Sequence, residues 1–214
     1  MKKMNFRKLT FSTRIKMVKL LAPKLYEEFQ ISKLLDNKLS CDIPRPYTLF
    51  LQLKFGRCKL NGAEIGFGAG FNAENLLSML TIDKLYCIDP FLFKTYYQGK
   101  YRYTYDNKTI YKQLIGDHRV EFIELPINNA VEEISELHNL DFLYIDGNHT
   151  YDFVLNDLNH AVKIVRDGGV IGGHDFIHFR NYGVIHSVID FCFERGIKFD
   201  FEPPDFWFIN KKSR

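Results

Sequence analysis

From Ala63 onward, short apolar runs alternate with segments whose apolar residues recur at helical spacing, the pattern of a parallel sheet wrapped by crossover helices. It predicts strands at 63–66, 84–89, 120–124, 141–146 and 169–174. The segments between them are long enough for the crossovers that parallel strands require. The clearest helix spans 151–165, where Val154, Leu158, Ala161 and Val165 make one apolar stripe between a Thr150 cap and a Gly168-Gly169 stop. Further helices are expected over 72–80 and 182–195, the second halted by Gly196. Residues 197–201, a Pro203-Pro204 turn and 206–210 then read as a β-hairpin, so the sheet is expected to end with an antiparallel strand.

Ahead of the sheet, Ile15, Val18, Leu21, Leu25 and Phe29 lie at helical spacing interrupted by Pro23, and Pro44 and Pro46 punctuate the stretch between this stripe and the first strand. Residues 1–60 are expected to form a helical extension packed on a core domain of residues 61–214. At 214 residues with 46% apolar content, the chain has core enough to fold without staples. The four cysteines, Cys41, Cys58, Cys87 and Cys192, are scattered without a C-x-x-C pair, which suits a reducing cytosol. No apolar run approaches the roughly 18 residues of a membrane span. The expectation is a cytoplasmic chain with no transmembrane segment. Net charge is +3, from 29 basic and 26 acidic residues, so no specific nucleic-acid partner is expected. Eight of the basic residues fall between Met1 and Tyr26 without an acid among them, and they read first as a solvated helix face and second as a surface for phosphates, anionic lipid or an acidic partner.

Candidate chemistry gathers at the predicted strand ends. The first strand runs into Glu64-Ile65-Gly66-Phe67-Gly68-Ala69-Gly70, a glycine-rich turn that lets a ligand lie against bare backbone at a helix N-terminus. A dinucleotide fingerprint would need its last glycine where Phe71 stands. The second strand ends in Asp89, whose carboxylate can accept both hydroxyls of a ribose. Together these mark a nucleoside-like ligand across the ends of strands 1 and 2. Between Pro90 and Asn107 stand Tyr96, Tyr97, Tyr101, Tyr103 and Tyr105 with Lys94, Lys100 and Arg102. They read either as a lid that stacks on a sugar-like acceptor or as surface packing, with Tyr101, Tyr103 and Tyr105 on one face of an extra strand.

With this glycine turn and strand-end acid, the chain resembles the class I S-adenosylmethionine-dependent methyltransferases. The stretches "LDFLYIDGNHTYDFVLNDLNHAVKIVRDGGVIGGHDF", "GVIHSVIDFCFERGIKF" and "FWFINKK" are similar to the subgroup of sugar, macrolide and rhamnosyl O-methyltransferases and cephalosporin hydroxylase-like proteins. The resemblance covers about residues 61–210. It implies a Rossmann-like α/β fold with a seven-stranded, mostly parallel sheet. It also implies that Glu64, Gly66, Gly68 and Gly70 hold the methionine part of S-adenosylmethionine and Asp89 its ribose, with Phe67 and Asp146 counted in the same cofactor site. The segment Leu125-Pro126-Ile127-Asn128 departs from the family pattern, and Asn128 and Asn129 read as adenine contacts or as helix caps.

By the same resemblance, Asp146, His174 and Asp175 match positions that hold a divalent cation in metal-dependent relatives. Magnesium, manganese or iron are the candidates, and the nitrogen of His174 shifts the balance away from magnesium. His149 is the candidate general base, because a hydroxyl acceptor must shed its proton as the new bond forms, and Asp146 is placed beside it as catalytic. Asp175, its pKa raised in a cleft, is the reserve base. The expected activity is O-methylation of a hydroxyl on a small molecule or sugar, with a small-molecule or glycan acceptor as partner and a homo-oligomer left open. The alternatives are a metal-dependent hydroxylase or oxidoreductase on the same fold, or a catalytically inactive cofactor-binding module.

Overall fold

The computed structural model describes residues 44–68, 70–90, 94–97, 100–103, 114, 116–133, 137–176 and 183–212. The basic segment, the stripe from Ile15 to Phe29, Ala69 and Tyr105 lie outside the described residues. The chain runs α1 (Pro46–Phe55), β1 (Leu60–Ile65), α2 (Phe71–Met79), β2 (Ile82–Ile88), β3 (Lys94–Tyr97), β4 (Lys100–Tyr103), β5 (Val120–Ile123), α3 (Ile127–Glu133), β6 (Leu140–Ile145), α4 (Tyr151–Ile164), β7 (Val165–Gly173), α5 (Gly183–Arg195), β8 (Asp200–Glu202) and β9 (Asp205–Ile209).

Seven strands form one sheet in the order β5-β2-β1-β6-β7-β9-β8. The first five are parallel, β9 runs antiparallel to β7, and β8 pairs antiparallel with β9. The central strands are mostly buried, because both faces of the sheet are covered. Leu143 and Ile145 face a cluster built with α3, α4 and α5, while Phe142 and Tyr144 face a second cluster built with α1 and α2. The order reverses between β1 and β6, which opens a crevice at the C-terminal ends of these strands, the place where open α/β sheets bind ligands.

Two borders differ from the sequence pattern. Val165 begins β7, paired with Leu140, instead of ending the helix. Gly168, at φ 75°, and Gly169 do not stop a helix but lie inside this strand, where its register against β6 shifts. A Cβ on Gly169 would stand 2.8 Å from the Asp141 carbonyl oxygen, so only glycine lets the strands close there. Asn128 and Asn129 fall within the first turn of α3, past a capping position. The tyrosine-rich segment after β2 contains a two-stranded hairpin, with Tyr96 opposite Tyr101.

One buried knot fastens α1 to the far end of the sheet. Asp205 is fully buried. Its carboxylate accepts from the Tyr47 amide at 3.0 Å and the Tyr144 hydroxyl at 2.8 Å. The Tyr47 hydroxyl donates to the carbonyls of Leu143 and Val170. Burial pushes the Asp205 carboxyl up to about 6, although the Tyr47 amide, His174, Tyr144 and Arg45 pull the other way. Among the described residues, no helix is long and apolar enough to cross a membrane.

Candidate active site

Strand pairing brings the chemistry to one edge. The Gly66 amide donates to the Ile88 carbonyl, the Asp146 amide to Ile65 and the His174 amide to Ile145, so the ends of β1, β2, β6 and β7 stand in register. The turn after β1 has Gly66, Gly68 and Gly70 all at positive φ (89°, 51° and 82°). A Cβ on Gly66 would collide with the backbone of Asp146 and Gly147, so this glycine lets the turn pass beneath β6. Gly68 faces open space. The Phe67 ring is buried and meets Phe122 edge-on, while its amide donates to Asp89 Oδ2 at 3.1 Å. The Gly68 amide lies at 3.5 Å from the same oxygen. Asp89 thus braces the glycine turn and stands beside it at the end of β2.

Glu64 lies beneath this turn at 1% exposure. Its Oε1 accepts from Asn72 Nδ2 at 2.9 Å, whereas Oε2 and Asn72 Oδ1 are buried without partners. Burial pushes the Glu64 carboxyl up to about 8, the charges of Asp146 and Asp89 push the same way, and Asn72 and Arg45 oppose them. A buried acceptor pair next to a bare glycine turn fits a ligand that brings N–H donors and positive charge, which the methionine head of S-adenosylmethionine has.

Across the crevice, His149 lies between two carboxylates. Its Nδ1 is 3.0 Å from Asp175 Oδ2 and its Nε2 is 3.4 Å from Asp146 Oδ1. The imidazole is half exposed, at 46%. Burial lowers its pKa, but the Asp146 hydrogen bond and the charges of Asp175 and Asp146 outweigh this and leave it raised. His174, by contrast, is 5% exposed, with Nδ1 at 3.2 Å from Asp175 Oδ1 and Nε2 buried without a partner. Asp175 is held at φ 56°, a left-handed backbone costly for a residue with a side chain. Its two oxygens therefore face one histidine each. Burial raises its pKa, yet His174, His149 and Arg45 pull it below the ordinary aspartate value. This is opposite in direction to the raised pKa expected from its cleft.

Asp146, His149 and Asp175 each offer a ligand atom within 4.8 Å of the others, an arrangement able to hold a metal ion. In this cluster His149 stands where the sequence pattern placed His174, whose Nδ1 is turned to a carboxylate and whose Nε2 is enclosed by protein. Base and metal ligand thereby become competing uses of the same imidazole. Two residues near the crevice gave no sequence signal. Arg45 precedes the strand pattern, and Asn72 looks like any polar residue in a helix's first turn. Asp205 was likewise hidden inside an expected hairpin turn.

No curated protein sequence matches the chain. Among solved structures, it is similar to the O-methyltransferase TomG from Streptomyces achromogenes, involved in tomaymycin synthesis and solved in complex with SAM. That likeness has a TM-score of 0.56 at 15% identity, covering 93% of this chain and 96% of that one. It is also similar to an O-methyltransferase from Bacillus cereus solved with SAH (TM-score 0.55, 14% identity, 92% and 97% covered). The N-methyltransferase NodS from Bradyrhizobium japonicum WM9 shares the fold at a TM-score of 0.50 and 15% identity, covering 78% and 93%. These likenesses concern the fold. The sequence itself matches the family described as "Methyltransferase domain" over residues 63–176, more than half of the chain, and that stretch holds Glu64, Asp89, Asp146, His149, His174 and Asp175. With its sheet order, its glycine turn and this match, the chain belongs to the class I S-adenosylmethionine-dependent methyltransferase family.

Proposed function

We propose that this methyltransferase transfers a methyl group to a hydroxyl of a small-molecule or sugar acceptor, with His149 as general base. The observation that carries this is the histidine set between Asp175 and Asp146 at the mouth of the crevice, half exposed and with a raised pKa. When bound, S-adenosylmethionine supplies an electrophilic methyl on a sulfonium. The chain's own residues do the rest. Glu64 and the glycine turn hold the amino-acid end, Asp89 takes the ribose, and Asp175 Oδ2 fixes the His149 ring through Nδ1. His149 Nε2, which faces Asp146 Oδ1 at 3.4 Å in the free protein, turns to the acceptor hydroxyl and takes its proton, with Asp146 stabilising the imidazolium that forms. The sequence between β2 and β5 is rich in tyrosine, lysine and arginine, a composition that suits a sugar-like acceptor.

A second reading is favoured by one observation, the ligand geometry of Asp146, His149 and Asp175. There His149 would bind a divalent cation through nitrogen, with magnesium disfavoured against manganese or iron, and the acceptor hydroxyl would be acidified by the ion. The test is methyl transfer from labelled S-adenosylmethionine to a panel of hydroxylated acceptors, by wild type and by Asp175→Asn, with and without chelator. A base oriented by Asp175 predicts a slow Asp175→Asn enzyme and no effect of chelator. Full recovery of a chelated enzyme by manganese would move the assignment to the metal reading. Transfer to amines alone would overturn both.

A further inference from the structure

His149 is half exposed, so its ring is not locked by close packing, and the ring's place follows from the backbone that carries it. That backbone is pressed against the start of α5. Gly183, the first residue of α5, is buried and is not among the glycines at positive φ, so its own conformation does not call for glycine. Space does. A Cβ there would collide with the His149 carbonyl oxygen and stand 2.7 Å from the Tyr151 nitrogen and 2.9 Å from the Thr150 carbonyl carbon. All three are backbone atoms, which cannot swing aside as the end of a side chain can, so one added methyl must move the turn or the helix. None of them belongs to Glu64, the glycine turn or Asp89. The same turn is tied to α5 a second time, where the Tyr151 hydroxyl donates to Asp190 Oδ2 at 2.9 Å and Asp190 is 1% exposed. Behind both contacts, Val184 and Val188 of α5 join Val154, Leu155 and Leu158 of α4 in one buried cluster. The ring on this turn has a narrow tolerance. Its Nδ1 is 3.0 Å from Asp175 Oδ2, and a shift of about 1 Å takes it out of hydrogen-bond reach.

We infer that the start of α5 is the seat of the base. Gly183 is a positioning residue for methyl transfer: its bare backbone sets the His149 carbonyl where the imidazole falls between Asp175 and Asp146, and the Tyr151–Asp190 bond locks the turn there. This rests on the assignment of His149 as general base. Both contacts act on the acceptor step through the backbone of residues 149–151, and not on the cofactor.

The test sets Gly183→Ala beside Val188→Ala, which opens a cavity further along the same helix. Two readouts are taken on the full chain. One is the single-turnover rate of methyl transfer from labelled S-adenosylmethionine to the panel of hydroxylated acceptors, with S-adenosylhomocysteine affinity measured by calorimetry. The other is the His149 ring resonance in NMR spectra, assigned by its loss in His149→Ala, which needs no acceptor. Gly183→Ala is expected to slow transfer about 100-fold, to change S-adenosylhomocysteine affinity by less than about twofold and to shift the ring resonance. Val188→Ala is expected to lower the melting temperature at least as far, while the rate stays within about threefold and the resonance stays in place. Should Gly183→Ala not fold, Tyr151→Phe releases the same turn and is expected to slow transfer about fivefold or more and to move the resonance. An unmoved resonance in the folded variant, or a rate loss that Val188→Ala matches, overturns the inference and leaves Gly183 a packing residue only. His149→Ala at wild-type turnover overturns the assignment of the base, whereas a slow His149→Ala beside a Gly183→Ala of wild-type rate overturns the seat alone.

Discussion

The crevice has two halves that use carboxylates in opposite ways. At β1, Glu64 is sealed from water with a single amide donor, and burial carries its pKa up to about 8. At β6 and β7, Asp146 and Asp175 share two imidazoles, and Asp175 is pulled below its ordinary value despite burial. The difference lies in the neighbours, since both carboxyls are desolvated. In the first half burial favours the neutral form of Glu64, and in the second the two histidines favour the ionised form of Asp175. A transferase needs both: a dry place that recognises a positively charged donor, and a wetter one where a proton can leave.

Removing the imidazole should break the second half with the largest effect. His149→Ala is expected to lower turnover about 100- to 10,000-fold, with cofactor affinity nearly unchanged. Wild-type turnover should rise with pH through a value above the ordinary histidine pKa, because the base works only when neutral and its carboxylate neighbours favour the charged form. A flat profile in wild type, or undiminished turnover in the variant, would remove His149 from catalysis.

Asp89 tests the first half at a smaller scale. Asp89→Ala is expected to cost about 2–3 kcal/mol of cofactor binding in calorimetry, from lost charge-assisted hydrogen bonds to ribose and a loosened glycine turn. Unchanged affinity would place the ribose elsewhere.

Glu64 sharpens the contrast through protons. Its folded pKa of about 8 lies above the unbound carboxyl value of 4.5, so the stability it contributes is full below about 4.5 and is lost as pH rises through 8. Glu64→Gln should flatten that decline in thermal melts. At pH 7, cofactor binding by wild type should release a fraction of a proton up to one, detectable by calorimetry in buffers of different ionisation heat, and the variant should release none from this site. Equal release by both would show that Glu64 stays neutral on binding.

The smallest effect is expected from a chelator, which should alter turnover by less than about twofold if His149 serves as base and not as ligand.

Much of this contrast was written in the sequence, and the hidden part has a common cause. The five parallel strands were legible as short apolar runs alternating with helix-period segments, and the acids and histidines beyond them were legible as strand ends. The different surroundings of His149 and His174 were not. Both come just after a strand, and only the packed structure turns one outward between two carboxylates and encloses the other. The border at Val165 was ambiguous because a valine there satisfies both the stripe of α4 and the pairing of β7. Asp205 carries no local signal, since its partner Tyr47 lies far along the chain, and Asn72 gains its meaning only when the glycine turn brings it back to Glu64, eight residues earlier.

That last pairing has a consequence for how the protein comes into being. Asp205 is made 158 residues after Tyr47. At about 5–20 residues per second, α1 waits roughly 8–32 s on the ribosome for the carboxylate that anchors it. Throughout that interval α1 has its contacts with α2 and the central strands, but the Tyr47 amide lacks its acceptor. A nascent chain stalled before β9 is therefore expected to hold α1 less firmly than the finished fold does, which limited proteolysis of the stalled chain would read.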